Sequence, residues 1–176
     1  LCEPLGVAVR AVRHSKLKLG DSVAVIGAGP IGMFAVQAAK AAGAGKIIVS
    51  EPAPARREAV RKLGADLVVD PATEDVEQAI IAATDGLGPH IVFDCAGLGP
   101  TLDQAMNLAR RDGQVILVAL AWERIEVLPV DWLAREVNLQ GTFGAQAEDW
   151  QVALELLRSD KVTVSPLLSK TGFIPI

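Results

Sequence analysis

The chain has 176 residues, 51% of them apolar and 22% charged, which suits one globular domain with a full-sized core. Its net charge of −4 argues against a nucleic-acid or membrane-surface binder, which would carry a basic patch. Two cysteines, Cys2 and Cys95, stand far apart without CxxC spacing; they suggest neither a disulfide framework nor a thiolate zinc site, and point to an intracellular, cytoplasmic setting.

In chain order, residues 3–14, "EPLGVAVRAVRH", read as a helix with Pro4 in its first turn, where a missing N–H does no harm. "SVAVIGA" is a β-rich apolar run, and "PIGMFAVQAAKAAGA" an Ala-rich helix ending at Gly43. "KIIVSE" predicts a second strand. "PARREAVRKLGAD" predicts a second helix of this alternating series, with Ala59, Val60 and Leu63 toward the core and Gly64 as its stop. "LVVD" is a short third strand and "EDVEQAIIAATDG" a helix. "HIVFDCAG", "GQVILVAL" and "VNLQGTFG" are strands four to six, with a helix "TLDQAMNLAR" after the fourth and "EDWQVALELLRS" as the last helix.

Strand and helix thus alternate, and several strands are continuous apolar runs, as expected when both faces of a sheet are covered. The expected fold is α/β, a six-stranded parallel sheet doubly wound by helices. Val23 to Ala39 is apolar enough to resemble a membrane span, but Gly27, Gly29, Pro30 and Gly32 break it, and Gln37 and Lys40 close it. No signal peptide is visible. The chain begins at Leu1 and stops at "GFIPI" in mid-pattern, as expected of a piece of a longer protein.

"VAVIGAGPIG" brings Gly27, Gly29 and Gly32 between the first strand and the first helix of the alternating series. In a Rossmann dinucleotide-binding fold the first glycine permits the tight turn and the second admits the pyrophosphate. The third lets helix and strand pack closely. The helix N-terminus then offers unpaired N–H groups and a partial positive charge to the phosphates. Alone the motif is weak, because glycine turns without a ligand are common.

Glu51 strengthens it, nineteen residues past Gly32 at the end of the second strand. A carboxylate there can accept hydrogen bonds from both adenosine ribose hydroxyls and repel the 2′-phosphate of NADP, which favours NAD. The plain alternative is a surface acid in a loop. Arg56 and Arg57 could line an adenine pocket or neutralise a 2′-phosphate. Equally, they are solvated charges on a helix that also carries Arg61 and Lys62, the better reading for Arg57.

The ordered segments "EPLGVAVRAV", "GDSVAVIGAGPIGMFAVQAAKAAGA", "IIVSEPAPARREAVRKLGAD", "FDCAG" and "GQVILVAL" resemble the coenzyme domain of zinc-dependent medium-chain alcohol dehydrogenases. The branch they resemble is that of sorbitol, 2,3-butanediol and threonine dehydrogenases. The resemblance implies that residues 1–176 are an NAD-binding Rossmann domain without the amino-terminal catalytic domain. The parent would pass hydride between a secondary alcohol or polyol and NAD, with zinc polarising the substrate hydroxyl. It makes Gly27, Gly29, Pro30, Ile31 and Gly32 the pyrophosphate turn, Glu51 the ribose-binding acid and Arg56 a neighbour of the adenosine.

By the same resemblance Cys95, Ala96 and Gly97 border the cofactor after the fourth strand. Val118, Ala119 and Leu120 approach the nicotinamide from the fifth strand, and Thr142 and Phe143 from the sixth. Each of these five reads equally well as plain sheet core. Glu3, in the "EP" pair, lies beside the catalytic zinc in polyol-type relatives; it is equally a carboxylate favoured by a helix start. One carboxylate does not make a zinc site.

His14 and His90 have no ligand-like neighbours at helical or strand spacing, and Trp122, Trp132 and Trp150 read as covers for apolar surface. The 176 residues contain none of the family's catalytic cysteine and "GHE" run, so no catalytic residue and no activity are expected of them alone. Pairing through the sixth strand is expected to give a homodimer or homotetramer. The absence of tyrosine removes a short-chain dehydrogenase, and the glycine spacing argues against a methyltransferase. An NAD-sensing module that catalyses nothing, and an NADP-dependent quinone or enone reductase domain, stay open.

Overall fold

A computed structural model describes residues 2–122, 124–126 and 128–167. Helix α1 (Cys2–His14) leads into β1 (Ser22–Ile26), α2 (Pro30–Ala41), β2 (Lys46–Ser50), α3 (Pro54–Lys62) and β3 (Leu67–Val69). The second half runs α4 (Val76–Ala83), β4 (Ile91–Asp94), α5 (Gly99–Leu108), β5 (Gln114–Leu117), α6 (Pro129–Arg135), β6 (Asn138–Gly141) and α7 (Ala147–Arg158). A short 3-10 turn, Ser165–Leu167, follows. The strands form one parallel sheet in the order β3-β2-β1-β4-β5-β6.

Side chains alternate across each strand, so the apolar runs feed two cores at once. Val23, Val25, Ile47, Val49, Ile91, Phe93 and Ile116 face the layer that contains α1, α2 and α7. Ala24, Ile26, Ile48, Val92 and Val115 face α4 and α5 through Ile80, Leu102 and Met106. Burying each large aliphatic or aromatic side chain stabilises the fold by roughly 1.5–3 kcal/mol. The apparent span of residues 23–39 is β1, the glycine turn and most of α2. No helix among the described residues is long and apolar enough to cross a membrane.

Helix α7 is locked to α1 by charge. Asp149, 2% exposed, accepts from Arg10 at 3.2 Å, from Arg13 at 2.5 Å and from the Gln146 N–H at 2.8 Å. Burial alone would raise the Asp149 carboxyl, but these donors outweigh it and hold it below its usual range. Trp150 packs over Gly6 of α1, so its role is cover.

Two expectations are corrected. The sequence pattern places no helix between the fifth and sixth strands, yet parallel β5 and β6 need a crossover, and α6 supplies it. Its apolar residues gave little signal: Val130 and Leu133 are 58% and 75% exposed. Arg135 fastens α6 to the end of α5 by donating to the carbonyls of Met106, Asn107 and Ala109. The fifth and sixth strands are also shorter than expected, so Val118, Ala119, Leu120, Thr142 and Phe143 lie beyond strand ends. The chain leaves β5 because the Val118 and Ala119 N–H groups both turn to the Asp94 carbonyl. The closing "GFIPI" lies outside the described residues.

Candidate functional site

The sheet runs outward in both directions from the β1–β4 pair, so a crevice opens at the carboxyl ends of these two strands. The glycine turn sits there. Gly27 has φ +89°, a left-handed conformation suited to glycine, and its N–H donates to the Ser50 carbonyl at 2.8 Å. A Cβ on Gly32 would overlap the Gly27 carbonyl oxygen, so the third glycine is what brings α2 against the turn.

Gly29 is different. Its φ of −67° and ψ of −176° suit any residue, and a Cβ added there would meet no atom within 4 Å. Packing therefore does not explain it. Gly29 is the N-cap of α2, Pro30 opens the helix, and no side chain caps it. The Ile31 and Gly32 amides have no acceptor among the described residues, whereas Met33 N–H is taken by the Gly29 carbonyl at 2.9 Å.

Glu51 is not a loose surface acid: it is 2% exposed. One carboxylate oxygen accepts the Ala28 N–H at 2.6 Å and the other the Ala53 N–H at 2.8 Å. It thus ties the glycine turn to the end of β2. Each oxygen has a second lone pair, so the carboxylate can accept from further donors. Arg56 is exposed and borders a groove with Ala28, Pro30, Ala55 and Leu167.

Arg57, expected to be solvated, is not. Its side chain is 14% exposed and donates to the Glu51 and Pro52 carbonyls and to Asp70. The pattern misled because a charged stretch gives no hint that one member folds back over its own N-terminal turn.

After β4, the loop with Cys95, Ala96 and Gly97 lies against the glycine turn: a Cβ on Gly27 would be 3.3 Å from that of Ala96. Asp94 shapes this loop. Fully buried, it accepts the Ala96 and Gly97 N–H groups at 3.0 and 3.1 Å and the Thr101 hydroxyl at 3.2 Å. Burial pushes the Asp94 carboxyl up, against the pull of these three donors. The acid closing the apolar "HIVFD" run was the signal that sequence reasoning passed over. Burial, with Asp94 beside it, also pushes the Cys95 thiol up, so it is an inert packing group although part of the residue stays accessible.

Val118 is buried, Ala119 and Thr142 are half-buried, and Leu120 and Phe143 are 56% and 77% exposed. Plain sheet core therefore describes Val118 but not Leu120 or Phe143. Ala119, Leu120 and Thr142 line one groove with Trp122, and the buried Thr142 Oγ1 has no hydrogen-bond partner among the described residues.

Glu3 is exposed on the first turn of α1, apart from any metal-like cluster. Among the described residues no group of three His, Cys, Asp or Glu could hold a metal ion. His14 is exposed. His90 borders β4 at the amino end of the sheet, opposite the glycine turn, beside Ser22, Asp21 and Arg110.

A family model described as "Zinc-binding dehydrogenase" matches residues 30–159. L-idonate 5-dehydrogenase of Vitis vinifera is 36% identical over 173 residues, covering 96% of this chain and 47% of that protein. The solved 2R,3R-butanediol dehydrogenase from Bacillus subtilis superposes with a TM-score of 0.89 at 35% identity, over 96% of this chain and 48% of its own. A solved NADP-bound structure from Sinorhizobium meliloti 1021 gives a TM-score of 0.86 at 32% identity over 92% of this chain and 48% of its own. The chain thus spans about half the length of the curated relatives it matches.

Proposed function

The chain belongs to the zinc-binding dehydrogenase family and is its NAD(P)-binding part, and from that premise we propose that it holds NAD for a cytoplasmic dehydrogenase of secondary alcohols or polyols. The observation that carries this reading is Gly29. Nothing in its backbone or packing requires glycine, the amides that follow it in α2 have no acceptor among the described residues, and its neighbour Ala28 donates to the Glu51 carboxylate.

The residues present fit the nucleotide. Ile31 and Gly32 N–H would take the pyrophosphate, with Gly27, Gly29 and Pro30 shaping the turn, and Glu51 would accept from the adenosine ribose. Arg56 would border the adenosine, and Cys95, Ala96 and Gly97 the crevice wall. Val118, Ala119, Leu120, Thr142 and Phe143 would line one side of the nicotinamide end, where the Thr142 hydroxyl, partnerless among the described residues, can meet a carboxamide. Bound NAD supplies a hydride acceptor. Glu51 favours NAD over NADP by charge, and Arg57, already neutralised by Asp70, offers a 2′-phosphate little compensation.

Zinc does not fit the described residues, and no metal step is assigned to them; Glu3 alone is short of a ligand set. Titration calorimetry tests the reading. NAD and ADP-ribose are expected to bind the 176-residue chain within about threefold of each other, since Leu120 and Phe143 leave the nicotinamide end open. Alcohol oxidation by this chain alone should be undetectable. Turnover, much tighter NAD binding, or NADP binding as well as NAD would contradict it.

Among the described residues β6 is an edge strand with no further strand beside it, which supports a homodimer. Asn138, Leu139 and Gly141 are exposed there, and such an edge strand is a template for pairing with a second copy. Light scattering is expected to give the mass of a dimer; a monomer at high concentration would refute this.

A further inference from the structure

We propose that Arg57 is a positioning residue that sets the Glu51 carboxylate for the ribose hydroxyls, with Asp70 withholding the guanidinium charge from a 2′-phosphate. The inference rests on the NAD reading above.

Arg57 lies in the first turn of α3, behind the N-cap Ala53 and Pro54. A helical side chain there leans back toward the N-terminus, which carries its head over the β2–α3 connection. One guanidinium nitrogen donates to the Glu51 carbonyl at 3.0 Å and to the Pro52 carbonyl at 2.5 Å, and another meets Asp70 at 2.7 Å. Two successive carbonyls held by one planar group fix the peptide between them. The next N–H, that of Ala53, is then aimed at the Glu51 carboxylate, whose other oxygen is held by Ala28. The acid is thereby gripped from the glycine turn on one side and from the Arg57-held turn on the other.

Asp70 is itself fixed, accepting the Ala72 N–H at 3.0 Å while its own N–H goes to Glu74. The pair is therefore not a loose surface bridge, and it contrasts with Arg61 and Lys62, 49% and 66% exposed, which among the described residues reach only Glu58. An unneutralised guanidinium in this place, next to the ribose-binding acid, would attract a 2′-phosphate. With Asp70 bound to it, that attraction is largely spent.

Calorimetry with ADP-ribose, its 2′-deoxyadenosine analogue and its 2′-phosphate tests the proposal on the 176-residue chain. The wild type should favour ADP-ribose over the deoxy analogue by about tenfold or more. Arg57→Met should cut that ratio to about threefold or less while changing deoxy-analogue affinity by under about twofold, and Arg57→Lys should restore part of it. Asp70→Asn should keep the ribose ratio and tighten the 2′-phosphate ligand by about threefold or more. A preserved ratio in folded Arg57→Met, or equal loss for both ligands, overturns the positioning role. If Arg57→Met does not fold, unchanged exclusion of the 2′-phosphate by Asp70→Asn overturns the proposal. A wild type that binds none of the ligands sinks the NAD reading itself, a separate failure.

Discussion

Gly29→Val is expected to leave the fold in place and to weaken ADP-ribose binding by at least about a hundredfold. The backbone at Gly29 is extended, so valine adopts it without strain, and its Cβ would have no protein atom within 4 Å. Losing a glycine N-cap for an apolar residue costs at most about 1 kcal/mol. The isopropyl group would, however, stand before the Ile31 and Gly32 amides. Each charge-assisted hydrogen bond to a phosphate contributes about 1.5–3 kcal/mol, so obstructing two of them accounts for a hundredfold loss. Thermal denaturation and titration calorimetry on the same sample separate the two effects. Normal binding by the variant would mean that the phosphates do not approach this turn. Gly32 could not serve, because a methyl group there collides with the Gly27 carbonyl and damages packing first.

Glu51→Ala is expected to lower NAD affinity at least about tenfold and also to destabilise the chain. The ribose loses its charged acceptor. The buried Ala28 N–H loses its partner as well, at a cost of about 1–3 kcal/mol, with a smaller cost at the half-exposed Ala53 N–H. For a chain of this size that corresponds to a melting temperature lower by roughly 2–10 °C. NADP should bind relatively better, since the repelling charge is gone. Glu51→Gln separates the causes: it keeps an acceptor for one N–H but removes the charge. Unchanged NAD affinity together with unchanged NADP exclusion would dismiss Glu51 as the ribose acid.

The same two residues mark the reach of sequence reading. The spacing of Gly27, Gly29 and Gly32 and the later acid at Glu51 were legible because the connections between β1, α2 and β2 are short, so linear order carries over into space. That Glu51 also clasps the glycine turn through Ala28 was not legible. The pairing joins positions 28 and 51, and no periodicity encodes a side chain that turns back on a neighbouring strand. Arg57 was misread for the same reason, and Asp94 was overlooked because its donors come from the β4–α5 loop and the first turn of α5, whose arrangement exists only once β4 has paired with β1 and β5.

Alternating strands and helices, the two-sided burial of the sheet and the place of the glycine turn follow from local patterns. Periods of 2 and 3.6 residues record which faces avoid water. Strand order, the crossover helix α6, the ends of β5 and β6 and the burial of Arg57, Asp94 and Asp149 were decided by assembly. A charge or polar side chain is buried only where partners from other elements meet it, and those partners are chosen by packing in three dimensions.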